Sequence, residues 1–152
     1  MKKFIFTALF FSFALFFVAE TNAQTISGSI PAVKRGGSTR GTIVMSIPGG
    51  LHVNSNRPNS EYAIPTSVRV SGAGLKFSAV SYPRGKNRKF EFSEGTINVY
   101  EGRVTFSFNV TVPANYKGNT LRVRVVVKSQ ACTDEVCYPP KSKEMTLTAN
   151  VK

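Results

Sequence analysis

Cys132 and Cys137 are the only two cysteines in the 152 residues, and four residues separate them. They follow a run rich in β-branched residues (123–127) and precede a double proline, Pro139-Pro140. A β-run followed by a polar turn predicts a hairpin. Directly opposed residues of an antiparallel pair have Cα atoms about 4.5–5.5 Å apart, and a disulfide needs about 4.4–6.8 Å. A hairpin with loop residues 133–136 therefore brings the two sulfurs to bonding distance without backbone movement. Such a ring staples weakly: chain entropy gives about 2 kcal/mol, against about 4–5 for a ring of a hundred residues. Cysteines committed to so weak a staple read better as a redox pair that cycles between dithiol and disulfide. A plain structural clip is the competing reading.

Other chemistries fit less well. Structural zinc takes four Cys or His ligands, and the chain offers two cysteines and a single distant His52. No metal or cofactor is expected. A Cys–His52 hydrolase would pair its nucleophile with a second cysteine able to seal it. Around the pair the charges are mixed. Asp134 and Glu135 in the turn oppose a thiolate, while Lys128, Lys141 and Lys143 favour one. Pro139 and Pro140 lack N–H donors and bias Tyr138 to an extended shape. They read either as protection of a sheet edge or, with Tyr138, as a rigid rim beside the sulfur.

The elements that position the pair are strands. Val104, Phe106, Phe108, Val110 and Val112 alternate with Thr105, Ser107, Asn109 and Thr111. This period of two puts one face on a core and one in water. Leu121, Val123, Val125 and Val127 point inward in a second strand over 120–128, with Arg122 and Arg124 outward. Met145, Leu147, Ala149 and Val151 form a last one, and shorter strands are expected over 42–48, 66–71 and 96–100. Residues 24–41 read as a flexible N-terminal arm, 52–65 as a long polar loop and 84–89 as a basic turn. No helical stripe occurs beyond the N-terminus. About seven to nine short strands predict an all-β domain, an antiparallel β-sandwich.

The N-terminus has a basic start, an apolar run over 4–18 and a small-residue site at Thr21-Asn22-Ala23. This predicts a signal peptide over 1–23 and a periplasmic or secreted destination, where disulfides persist. Without residues 1–23 the chain keeps 18 basic and 7 acidic residues, a net charge of +11. That suits anionic surfaces or acidic partners. A nucleic-acid role is not expected, since no binding motif is present.

Gln130-Ala131-Cys132 followed by Cys137-Tyr138-Pro139-Pro140, near the end of a small all-β domain, resembles the N-terminal periplasmic domain of DsbD, the disulfide bond corrector family. Residues 50–58 with 62–66, and 90–95 with 99–102, support the likeness, which covers roughly residues 42–148. The resemblance implies an immunoglobulin-like sandwich over 42–152. It also implies thiol–disulfide exchange of the protein-disulfide reductase type at Cys132 and Cys137. In that family a cap loop with an aromatic shield covers the disulfide; here it falls on Phe90, Glu91 and Phe92, with Phe92 the first candidate and Phe90 the second. His52 falls beside the site and reads as a satisfied structural residue. The resemblance makes Cys137 the sulfur that bonds to partners and Cys132 the resolving thiol. The implied electron donors are a membrane thiol-transport protein or a thioredoxin-like protein or domain. The implied acceptors are a periplasmic disulfide isomerase or a cytochrome c maturation thiol protein. The chain departs from the best-described member of that family in having four rather than five residues between the cysteines. It also ends at Lys152, which makes the donor a separate protein. The rival reading is a basic β-sandwich module that binds cell-wall polymer or protein, with a purely structural disulfide.

Overall fold

The computed structural model describes residues 24–152, and among them there is no helix. The expected signal peptide lies outside the described residues. Eleven strands follow in chain order: β1 (Thr25–Ser29), β2 (Ser38–Ser46), β3 (His52–Asn54), β4 (Ser67–Ser71), β5 (Lys76–Phe77), β6 (Lys86–Lys89), β7 (Thr96–Tyr100), β8 (Arg103–Thr111), β9 (Thr120–Ser129), β10 (Ala131–Cys132) and β11 (Lys141–Asn150). All their pairings are antiparallel. They form sheets ordered β1-β2-β8-β5, β11-β9-β4 and β10-β3-β7-β6.

The first two sheets share one core, as the period-two patterns require. Ile43 and Met45 of β2 and Phe106, Phe108 and Val110 of β8 meet Leu121, Val123, Val125 and Val127 of β9 and Leu147 and Ala149 of β11. Their alternate neighbours Arg122, Arg124 and Lys128 are exposed. This is the expected all-β, immunoglobulin-like arrangement. The third sheet is smaller and carries the cysteines. Phe90, Ile97 and Val99 form a second apolar cluster, with Ala63 against it.

Three segments differ from expectation. Residues 24–41 are not a loose arm but supply β1 and the start of β2. Ladder bonds come from the backbone whatever the side chains, and Ile30 and Val33 anchor the segment in the core. Gly41 is there because Phe108 covers it: a Cβ would collide with that ring. Residues 84–89 are not a turn. Lys86–Lys89 form the edge strand β6 on β7, with every residue exposed, and charge guards such an edge against further pairing. The polar loop over 52–65 begins with the fully buried strand β3.

Candidate functional site

The hairpin forms as its spacing requires. The amide of Thr133 donates to the carbonyl of Val136 at 2.8 Å, and that of Tyr138 to Ala131 at 2.9 Å. Cys132 and Cys137 lie between these bonded pairs as a directly opposed pair that exchanges no backbone bond. Such pairs make the closest approach in an antiparallel ladder. Their Cα atoms are 4.0 Å apart and the sulfurs are joined. The turn is tighter than the expected four-residue loop, with only Asp134 and Glu135 at its tip. Thr133 Oγ1 accepts from the amides of Glu135 at 3.2 Å and Val136 at 3.0 Å, which closes the turn by a side-chain motif. Tyr138, Pro139 and Pro140 follow, exposed, and lead to β11.

The two sulfurs have different surroundings. Cys132 is fully buried, because β10 pairs with β3 and sets it opposite His52. Cys137, on the return arm, is exposed.

His52, Phe90 and Phe92 form a ladder of rings. His52 stacks on Phe90 with centroids 4.3 Å apart and planes 16° apart. Phe90 stacks on Phe92 at 5.2 Å and 7°. Phe90 is buried and belongs to the small apolar cluster, whereas Phe92 is exposed. The ammonium of Lys89 donates to the carbonyls of Ser93 and Glu94. Ser93 Oγ donates to Phe90 O at 3.2 Å and Gly95 O at 2.8 Å. The loop that carries Phe92 is thus a closed, internally bonded turn. Glu91 points outward from it, exposed.

His52 departs from its reading as a satisfied histidine. It is buried, and its Nε2 has no hydrogen-bond partner among the described residues. Burial lowers its pKa below the ordinary 6.5; the carboxylates of Asp134 and Glu101 oppose that shift and Arg88 adds to it. The ring is therefore neutral at pH 7.

A cavity of about 720 Å³ opens beside Cys137, between the Phe92 loop and residues 59–63. Its floor is tied together by amides. Asn54 Nδ2 donates to Ile64 O at 3.1 Å and to Gln130 Oε1 at 3.2 Å. Gln130 Nε2 donates to Tyr138 O at 3.2 Å. Gln130 therefore links the last residue of β3 to the backbone just beyond Cys137. The resemblance places Asn54 beside the site with His52; Gln130, Lys89 and the loop at Tyr62 were not singled out from the sequence as site residues. Position gave one signal, since Gln130 stands directly before the Ala-Cys step. No cluster of three or more His, Cys, Asp or Glu side chains able to hold a metal occurs among the described residues.

The family model for the N-terminal domain of the thiol:disulfide interchange protein DsbD matches residues 22–149. The chain belongs to that family. The DsbD N-terminal family is one of periplasmic thiol–disulfide exchange domains, and the bonded pair described above is a disulfide in such a domain. Among solved structures the chain is similar to the N-terminal periplasmic domain of ScsB from Proteus mirabilis, at 12% identity and a TM-score of 0.58. The match covers 85% of this chain and 47% of that one, so the chain spans about half of that relative, and at this identity the likeness shows the fold. Looser likenesses are to a yeast GGA1 GAE domain (12% identity, TM-score 0.46, 86% of this chain and 95% of that one) and to the CssB subunit of enterotoxigenic Escherichia coli (14%, 0.43, 86% and 97%). The chain matches no curated protein.

Proposed function

We propose that the domain relays electrons outside the cytoplasm by dithiol–disulfide exchange. It takes them from a thioredoxin-like protein or a membrane thiol-transport protein. It passes them to oxidised thiol proteins of the disulfide isomerase or cytochrome c maturation kind. The observation that carries this reading is the inequality of the sulfurs: Cys137 is exposed and Cys132 is fully buried. A thiolate of the donor attacks Cys137 Sγ, forming a mixed disulfide and expelling Cys132 as a thiolate, which takes up a proton. The donor's second thiolate then attacks its own bridged sulfur and releases Cys137. Two electrons and two protons have then entered the domain. In the forward step Cys137 attacks an acceptor disulfide, and Cys132 resolves the bond by attacking Cys137 Sγ.

The site rim fits the same reading. Phe92 shields the sulfur side of the cavity, and Tyr138 with Pro139 and Pro140 forms an arm that a partner can meet without competing for ladder bonds. The structural-clip alternative gains less support, because neither sulfur belongs to the main core.

The test is trapping. Cys132→Ser should accumulate a mixed disulfide with a thioredoxin-like protein that keeps only its attacking cysteine, presented as its disulfide with a small aromatic thiol. Cys137 attacks that sulfur and expels the aromatic thiolate. The product, seen by non-reducing electrophoresis, persists because neither protein has a second thiol to resolve it. Cys137→Ser should trap little. Trapping through Cys132 alone would reverse the roles, and no trapping by either variant would remove the exchange function.

A further inference from the structure

In a strongly basic chain, the surface around the exposed sulfur is apolar and acidic. Four large apolar side chains are strongly exposed among the described residues: Tyr62 (89%), Val136 (54%), Phe92 (47%) and Tyr138 (46%). All four border Cys137. Val136 and Tyr138 flank it in the chain, and Tyr62 and Phe92 line the cavity with it. Exposed apolar groups gathered in one place mark an interaction surface, whereas scattered ones do not.

The charge is segregated in the same way. Of the seven carboxylates beyond residue 23, five lie on the loops around this patch. Glu61 and Glu94 line the cavity, Glu91 adjoins Phe92, and Asp134 and Glu135 form the hairpin tip. All five are exposed. The other two carboxylates are neutralised in ion pairs. Glu101 meets Arg88 at 2.8 Å and Lys86 at 3.8 Å, and Glu144 meets Arg124 at 2.7 Å. Two cations beside these loops face elsewhere: Lys89 is turned onto the cap-loop carbonyls, and Arg57 lines a separate cavity with Arg84. Lys141, exposed at the start of β11, is the cation that follows the Tyr138-Pro139-Pro140 arm. An apolar centre within a polar, charged rim is the anatomy of a protein–protein interface.

We propose that this face docks a thiol protein whose reactive cysteine sits in an apolar patch bordered by lysine and arginine. The inference rests on the exchange reading and names the partner's chemistry. It runs against the net charge of the whole chain, which alone would favour acidic partners. Charge complementarity over such a patch acts on encounter rate and on choice of partner.

Two synthetic peptide disulfides test it: symmetric dimers of a short peptide whose cysteine is flanked by leucines and then by lysines, or by glutamates. The protein is first reduced with a dithiol, which is then removed. Cys137 attacks one peptide sulfur and expels one peptide thiolate. Cys132 attacks Cys137 Sγ and expels the second. The protein loses two electrons to the peptide disulfide, and the protons of its two thiols pass to the peptide thiols. The rate is read by mass, as the reduced protein loses two hydrogens.

The lysine peptide should oxidise the protein about tenfold faster or more at low ionic strength. Near 1 M salt, where screening acts over about 3 Å, that advantage should shrink to within about twofold. Replacing all five carboxylates by their amides (Glu61→Gln, Glu91→Gln, Glu94→Gln, Asp134→Asn, Glu135→Gln) should abolish the preference. Equal rates at low salt, or a faster glutamate peptide, would overturn the docking inference and leave exchange standing. If neither peptide oxidised the protein, the exchange reading would fall, and the docking inference with it.

Discussion

His52 and Cys132 stand directly opposite each other on β3 and β10. The buried half of the disulfide therefore has a neutral imidazole as its cross-strand neighbour, and that imidazole stacks on Phe90 with centroids 4.3 Å apart. The ring gains contact area from this position and loses hydration, since Nε2 finds no partner among the described residues. Desolvation without a replacement bond disfavours the protonated form.

This has a consequence for stability. His52 is the only histidine in the chain, so titration between about pH 5 and 6.5 is mostly its own. Its folded pKa is depressed below 6.5. As pH falls through 6.5, the unfolded chain binds a proton that the folded chain still refuses, and stability drops until the lower folded pKa is passed. Acidification from pH 7 to 5 should lower the melting temperature of the wild type more than that of His52→Phe, which keeps a ring on Phe90 and removes the titration. The groups that modulate the shift are Asp134, Glu101 and Arg88. Parallel pH curves for the two proteins would show that the imidazole is not disfavoured as an ion.

Phe90 and Phe92 are separated by the structure into a buried and an exposed ring, and their substitutions should behave differently. Phe92→Ala removes an exposed ring held by stacking on Phe90 at 5.2 Å, so it should cost less than about 1 kcal/mol. Phe90→Ala empties a buried site and should cost about 3–5 kcal/mol. If Phe92 shields the sulfur, its loss should speed reduction by a small thiol several-fold, measured under pseudo-first-order conditions. An unchanged rate with a large loss of stability would make Phe92 a packing residue and remove the shield.

The long strands were legible because alternation is a local signal. Leu121, Val123, Val125 and Val127 announce β9 without reference to anything else, and β8 and β11 follow the same rule. The hairpin was legible from its two cysteines and the prolines beyond them. The short strands were not. β3 and β10 are too brief to show a period, and β6 reads as a solvated charge run because its pairing with β7 is a backbone ladder that no apolar alternation announces. The inner architecture of the site was hidden for a related reason. Asn54 meets Gln130 across 76 residues, and the His52–Phe90 stack joins β3 to the loop after β6. No local pattern encodes contacts of that range. The acidic rim was obscured by composition: a net charge of +12 draws attention to the cations, while the carboxylates matter through their placement.

The disulfide should prove dispensable to the fold. It closes a ring of neighbouring residues, with a sequence separation of 5, so its loss releases little chain entropy, about 2 kcal/mol. The main core contains neither sulfur. The hairpin keeps its two flanking backbone bonds and the Thr133 turn contacts after reduction, and Gln130 still holds Tyr138. Mild reduction should therefore expose two thiols, counted by mass after alkylation, and leave the far-ultraviolet circular dichroism spectrum intact. The melting temperature should fall by roughly 5–10 °C. A domain that cycles between two redox states must remain folded in both, which gives this measurement its discriminating power. Cooperative unfolding on reduction at 25 °C would mean that the bond is a structural clip, and the relay would lose its reduced carrier.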